Sequence, residues 1–370
     1  MNRCVALARE LVRCDTQNPP GREAPVVPLL VDLLSGLGCE VEVVTTGPGR
    51  ESVLARYGTG KRPTLLVNGH LDVVPVAEED WSVPPFAGVV RDGRLIGRGA
   101  ADMKGGIAAA IEGFRACLDA GTLGTDVVFH LVADEETGGR LGTQALLESG
   151  RIEADACVVP EPTELRVAVA ERGTFQARIE VSGIAGHGGE PGRARSAIAD
   201  AAAVVQSLHL ADFGDTHPLL GSPTCNVALI EGGSAANVVA ARCVLTIDRR
   251  TLPGQTQADI VAALEARIPA GIDYRIEPLF FAEASEIAPG HAFVDFALDC
   301  CGETEPVGLS LGTDARFLRN QLGIPSVVFG PGSMRQAHTA DEWVSIEELA
   351  AAARCFERMF TPPQGHPMFT

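Results

Sequence analysis

Two histidines and at least four carboxylates stand in short glycine- and proline-rich stretches directly after apolar runs. His70 and Asp72 follow the run Thr64–Asn68, in Gly69-His70-Leu71-Asp72. Asp102 stands in Ala101-Asp102-Met103-Lys104-Gly105-Gly106, after a short run near Arg94–Ile96. Glu135 and Glu136 follow Val127–Val132, and Glu161 follows Ala156–Val159 between two prolines. His338 comes a few residues after Ser326–Phe329 and the turn Gly330-Pro331-Gly332. Each has a plainer use alone: a structural histidine, a helix cap at Asp102, a solvated Glu-Glu turn. Their joint placement is what counts. Imidazoles and carboxylates gathered at low dielectric cannot stay uncompensated. A divalent cation is the economical partner, and mixed nitrogen and oxygen donors suit zinc, and also cobalt or manganese.

The elements that would bring them together alternate. Helices are predicted at Arg3–Cys14, Val26–Leu37, Lys104–Ala120, Thr143–Ser149, Ala292–Cys301 and Ile346–Phe360. Between them lie predicted strands at Glu40–Thr45, Ser52–Tyr57, Thr64–Asn68, Val127–Val132, Ala156–Val159 and Ser326–Phe329. Helix–strand alternation with short, wholly apolar strands implies an α/β fold with a mixed, mostly parallel sheet. Ligands in such sheets bind beyond the carboxyl ends of the strands, where these polar residues fall. From about Thr174 the pattern changes to β-α-β-β-α-β, with strands Phe175–Val181, Thr224–Glu231, Val238–Ile247 and Tyr274–Leu279 and helices Arg193–Leu208 and Gln255–Ile268. That order is the ferredoxin-like α+β arrangement. The expected organisation is a catalytic domain of residues 1–173 and 282–370, with an inserted domain at 174–281.

Composition excludes several classes. The chain has 370 residues, 46% hydrophobic and 21% charged, enough to bury a large core. Thirty basic against 48 acidic residues give a net charge of −18. That argues against nucleic acid or an anionic membrane as partner. No apolar run approaches the ~18 residues of a membrane span. Arg9, Glu10 and Arg13 interrupt the first segment, which reads as an amphipathic helix rather than a signal peptide. The expected location is the cytoplasm, with the ten scattered cysteines as buried reduced thiols.

The stretches GHLDVVPV, GRGAADMKGG, ADEETGG, PEPTE, GIAGHGGEP, DRRTLPG, GTDARF and HTADEWV occur in one order along the chain. In this they resemble the di-zinc M20 family of aminoacylases, deacetylases and carboxypeptidases. The resemblance implies two divalent metal ions. His70 and Glu161 would hold one, Glu136 and His338 the other, with Asp102 bridging. Asp72 would orient His70, and Glu135 would be the general base. The peptide bond between Asp102 and Met103 would be cis. His187, in the inserted domain, would stabilise the oxyanion, in the partner subunit's active site. Arg250 would bind a substrate carboxylate, with Asn237, Gly312 and Thr313 near the substrate. The inserted domain would serve as lid and dimerisation surface of a homodimer.

The implied reaction is hydrolysis of the amide bond of a small N-acyl amino acid, of the deacetylase or desuccinylase type. A dipeptidase or carboxypeptidase of the same chemistry is an alternative. A catalytically dead homologue acting in binding or assembly is another, which the presence of Glu135 and all five ligand positions disfavours.

Overall fold

The computed structural model describes residues 3–362. The chain divides into two compact units. Of the described residues, one takes those up to Val169, Ile287–Val307 and those from Thr313 to 362; the other is Ala170–Glu286 with Gly308–Gly312. The second unit is thus slightly wider than the 174–281 expected from the sequence. It also gains a short segment from beyond the insertion.

In the first unit, four strands lie side by side and parallel, in the order Asp126–Val132, Thr64–His70, Ala156–Val159, Ser326–Val328. Nearly all their residues are buried, as both faces are covered. The flanks are antiparallel. Arg50–Tyr57 pairs with Asp126–Val132, Glu40–Gly47 pairs with Arg50–Tyr57, and Ala168–Glu171 meets Ser326–Val328 at the other side. Short apolar runs alone do not fix strand direction, so the parallel character is confined to the centre.

The 17-residue helix Lys104–Ala120 packs against Ile346–Met359 and Arg3–Arg13. Gly113 permits the close crossing: a Cβ there would lie 2.7 Å from the carbonyl of Ala353. Phe114 joins helix to sheet, with ring centroids 5.5 Å from Phe129 and 6.1 Å from Phe360. The helix Ala315–Leu322 was not expected; it is amphipathic, but its 8 residues make little more than two turns. No helix among the described residues is long and apolar enough to cross a membrane. None of the ten cysteines is in a disulfide, and eight of them are buried.

The second unit is a four-stranded antiparallel sheet in the order Thr224–Gly232, Arg242–Thr251, Gly173–Ser182, Asp273–Ala282. With helices Ala197–Leu208 and Gln257–Glu265 this is the β-α-β-β-α-β order. Phe175, Ala177, Ile179 and Val181 alternate inward and pack with Val204, Leu208, Ile260 and Leu264. The strand expected at Val238–Ile247 is two pieces, Val238–Val239 and Arg242–Thr251. The long segment of this unit begins and ends in one antiparallel pair, Glu171 opposite Ser285 and Ala170 opposite Glu286.

One core residue sets an acid limit on stability. His130 is 2% exposed in an otherwise apolar stretch of strand, and its Nδ1 has no hydrogen-bond partner. Burial, then the Arg56 charge, pushes its pKa down to about 3. The unfolded chain, near the ordinary ~6.5, therefore takes up the proton first as pH falls. Stability present above pH ~6.5 is expected to drain away toward pH 3, at no more than about 1.4 kcal/mol per pH unit for this one proton. His130→Leu should flatten that limb. Urea midpoints at pH 7 and 4.5 check it; an identical loss in the variant would contradict it.

Candidate active site

The central parallel strands end at one edge and deliver the polar residues there. His70 is the last residue of its strand, Glu135 and Glu136 open the turn after Asp126–Val132, and Glu161 lies two residues beyond Val159. Asp102 sits two residues before the helix Lys104–Ala120, and its peptide bond to Met103 is cis as expected. His338 has φ +63° in the loop before Trp343–Ser345.

Asp102 stands at the centre. Its Oδ1 is 2.9 Å from His70 Nε2 and its Oδ2 is 3.3 Å from His338 Nε2. Glu161 Oε1 lies 3.5 Å from His70 Nε2, and Glu136 Oε2 lies 3.1 Å from His338 Nε2. Each imidazole thus shares Asp102 and has one glutamate of its own. Donor atoms of His70, Asp102 and Glu136 lie within 4.8 Å of one another, as do those of His70, Glu135 and Glu161. His70, Asp102 and Glu161 are buried, whereas the His338 side chain is 49% exposed.

The electrostatics of the cluster are extreme. Burial disfavours a charged His70, but Asp102, Asp72 and Glu161 outweigh it and hold its pKa well above the ordinary value. Hydrogen bonds to Asp102 and Glu136 carry His338 up to about 10. Burial, then the Asp102 charge, pushes Glu161 up to about 8, and the same two causes raise Glu136. Glu135 lies well above its usual range through burial, against His70 and with Asp314, Glu161 and Glu136 adding to it. So many carboxylates repel one another unless positive charge sits among them. Two imidazoles and three to four carboxylates around one shared aspartate are the donor set of a two-ion site, so the residues fit a pair of divalent cations.

Asp72 approaches His70 through both backbone and side chain: its carbonyl is 2.9 Å from His70 Nδ1 and its carboxylate 3.6 Å. That carboxylate also accepts the amides of Glu135 (3.2 Å) and Glu136 (3.1 Å). A donating Nδ1 leaves the Nε2 lone pair for a ligand.

Sequence reasoning missed a second support. Glu342 is wholly buried and accepts the amides of Ala101 (2.8 Å) and Asp102 (3.1 Å). Its other oxygen takes Arg98 at 2.6 Å, and Arg98 also donates to the Thr339 carbonyl. The Arg98 guanidinium lies 5.3 Å over the Trp81 ring, which makes Trp81 a packing residue. Arg316, nearly buried, donates to the carbonyls of Thr313 (2.8 Å) and Gly138 (3.0 Å) and approaches Glu135 at 4.0 Å.

The remaining expected residues lie mostly in the second unit. His187 is exposed and pairs in register with Val238, and Gly188 N donates to Asn237 O at 2.8 Å, so His187 and Asn237 are neighbours. A Cβ on Gly188 would come 3.1 Å from the Asn237 backbone. Gly189 N donates to His187 Nδ1 at 3.0 Å, which places the neutral ring's proton on Nε2. Arg250 is half-buried, held by Asp248 (3.0 Å) and Thr174 (2.9 Å). Its neighbour Arg249 points the other way, into the core over Phe213. Gly312 belongs to the second unit and Thr313 to the first. Thr313 is wholly buried, and its hydroxyl accepts from Ala315 N at the start of the helix Ala315–Leu322.

Comparison with known proteins agrees with this geometry. Residues 66–361 match the model of peptidase family M20/M25/M40. The acetylornithine deacetylase of Edwardsiella ictaluri is 33% identical over 337 residues, covering 87% of this chain and 86% of that protein. That of Proteus mirabilis is 32% identical over 352 residues, covering 90% and 88%. Among solved structures, an M20 family metallo-carboxypeptidase from Sulfolobus solfataricus superposes with TM-score 0.80 at 19% identity, covering 98% of this chain and 99% of that one. An aminopeptidase from Bacillus cereus gives 0.81 at 23%, covering 97% of each. With its carboxylates and imidazoles gathered at one sheet edge, the chain belongs to the M20/M25/M40 peptidase family and is a hydrolase.

Proposed function

We propose that this hydrolase cleaves the amide bond of a small N-acyl amino acid, with two divalent ions at the strand-end cluster. The observation that carries the reading is Asp102, whose two oxygens face two different imidazoles. His70, Asp102 and Glu161 would hold one ion; Asp102, Glu136 and His338 would hold the other. Zinc suits these donors best, with cobalt and manganese as substitutes. When bound, such ions lower the pKa of a water and polarise a carbonyl.

The chain's own residues do the rest. Glu135 takes the proton of the attacking water and returns it to the leaving nitrogen. Water and amide become a carboxylic acid and an amine, and no redox change occurs. Arg250, fixed in orientation by Asp248 and Thr174, receives the substrate's free carboxylate. Asn237 and Gly312 lie on the substrate side. His187 offers its Nε2 proton to the developing oxyanion. The acetylornithine deacetylases at 30% identity and above favour deacylation over peptide hydrolysis. We further propose a homodimer that joins through the second unit, which also serves as lid. Ten cysteines outside any disulfide suit a cytoplasmic setting.

The test begins with metal. Protein reconstituted with zinc should hold two ions per chain by elemental analysis, lose activity under chelation and regain it with zinc, cobalt or manganese. A screen of N-acetyl, N-succinyl and N-formyl amino acids beside dipeptides then identifies the substrate. No bound metal, with activity indifferent to chelation, would sink the metal assignment. Turnover of dipeptides alone would replace deacylation with peptidase activity.

A further inference from the structure

Behind the candidate site lies a buried polar chain that the reaction itself does not use. Asn18 is 3% exposed. Its Nδ2 donates to Asp72 Oδ2 at 2.8 Å and to Thr137 Oγ1 at 3.0 Å, and its Oδ1 accepts from Arg50 Nη1 at 2.9 Å. Its backbone N–H donates to the Val73 carbonyl at 2.8 Å. These partners leave one orientation of the amide: oxygen toward the guanidinium, nitrogen toward the carboxylate. Arg50 is itself clamped, with Nη2 2.6 Å from Asp134 and 3.1 Å from the wholly buried Glu23. A Cβ on Gly21, at φ +93°, would overlap the Arg50 guanidinium, so the turn after Asn18 is shaped around that side chain.

Asp72, at the far end, faces three chain segments. Its carbonyl meets His70 Nδ1, and its carboxylate takes the amides of Glu135 and Glu136. A carboxylate in that position needs its remaining lone pairs occupied and its rotation stopped. Asn18 does both.

We propose that Asn18, clamped by Arg50, is a positioning residue: through Asp72 it fixes the His70 ring and the Glu135–Glu136 backbone relative to each other. This rests on the reading of His70 and Glu136 as metal ligands and of Glu135 as base. Such partners one step removed from the ligands carry about 10–100-fold in metal affinity or activity.

The experiment uses the full chain, stripped with chelator and titrated with zinc by calorimetry, beside steady-state kinetics and thermal unfolding. Two variants are compared. Asn18→Ala removes the donor. Asn18→Asp keeps an oxygen for Arg50 but loses both donors and sets a second carboxylate against Asp72. Both are expected to weaken zinc about 10–100-fold and to lower kcat on a similar scale, with KM within about 2-fold of wild type. Asn18→Asp should also lose melting temperature, because its buried carboxylate stands against Asp72 and Asp134, so zinc affinity and kcat of the folded fraction decide. A purely structural role would lower the melting temperature of the variants while leaving zinc affinity and kcat of the folded fraction unchanged, and would overturn the proposal. Wild-type protein that binds two ions, with Asn18→Asp matching it in affinity and kcat, overturns this proposal alone. Wild-type protein that binds no metal overturns the proposed function and this inference with it.

Discussion

Glu135→Gln is expected to cut amide hydrolysis by about 10²-fold or more while both metal ions stay bound, the usual scale for a lost general base. Glutamine keeps the shape, so the turn packs as before, but its amide cannot take a proton from water. The geometry separates Glu135 from its neighbour. Glu136 Oε2 lies 3.1 Å from His338, on the side of Asp102 that His338 shares. Glu135 lies instead beside Arg316, which ties the turn down through Gly138 O. Its donor atom also falls within reach of His70 and Glu161, so exchange of the two glutamates' roles is the competing assignment. Elemental analysis with kcat on the same sample decides. A variant that loses metal while its holo fraction turns over normally would show that Glu135 is a ligand and Glu136 the base.

His187→Ala is expected to lower kcat by about 10²–10³-fold, the cost of one oxyanion donor, with metal content untouched. The imidazole is prepared for donation. Gly189 N occupies Nδ1, so the neutral ring presents Nε2–H, and the side chain is exposed rather than packed. If the donor comes from the partner subunit, two dead variants should rescue each other. Mixing His187→Ala with Glu135→Gln gives heterodimers in which one site of two has both groups intact. Random pairing then returns about a quarter of wild-type activity. Heterodimers that form but stay inactive would place His187 within its own chain's chemistry, or outside it.

The candidate site was legible because all its members but His338 fall at or just beyond a strand end or helix start, and strand ends in an α/β sheet converge. The ferredoxin-like insertion was legible because its alternation is clean, as in Gly173–Ser182, where inward and outward residues take strict turns. The supports were not. Asn18 reads as the first residue of a proline–glycine turn, Arg50 carries no signal of its own, and Arg98 stands out only within the stretch GRGAADMKGG. Their partners lie 84 residues away at Asp134 and 244 away at Glu342, and no periodicity reports pairing at such separations. The burial of Thr313 was not legible for the related reason that a motif gives residue type but not which way the side chain turns. Strand direction at the flanks escaped because Val-rich runs look alike in parallel and antiparallel neighbours.

The antiparallel pair of Ala170–Glu171 with Ser285–Glu286 bears on how the chain folds. More than a hundred residues separate its two sides, yet the ladder brings them within one strand spacing. For the first unit, the excursion is then equivalent to a short loop already closed by the excursion's own folding. The loop-closure entropy is lost once, within the insertion, and the flanking segments need not search for each other across the full sequence distance. By the same geometry, residues between the two rungs are exchangeable for a tight turn. A chain shortened at Glu171–Ser285 should keep its central parallel strands in register. It would retain His70, Asp102, Glu136, Glu161 and His338 while lacking His187, Asn237 and Arg250.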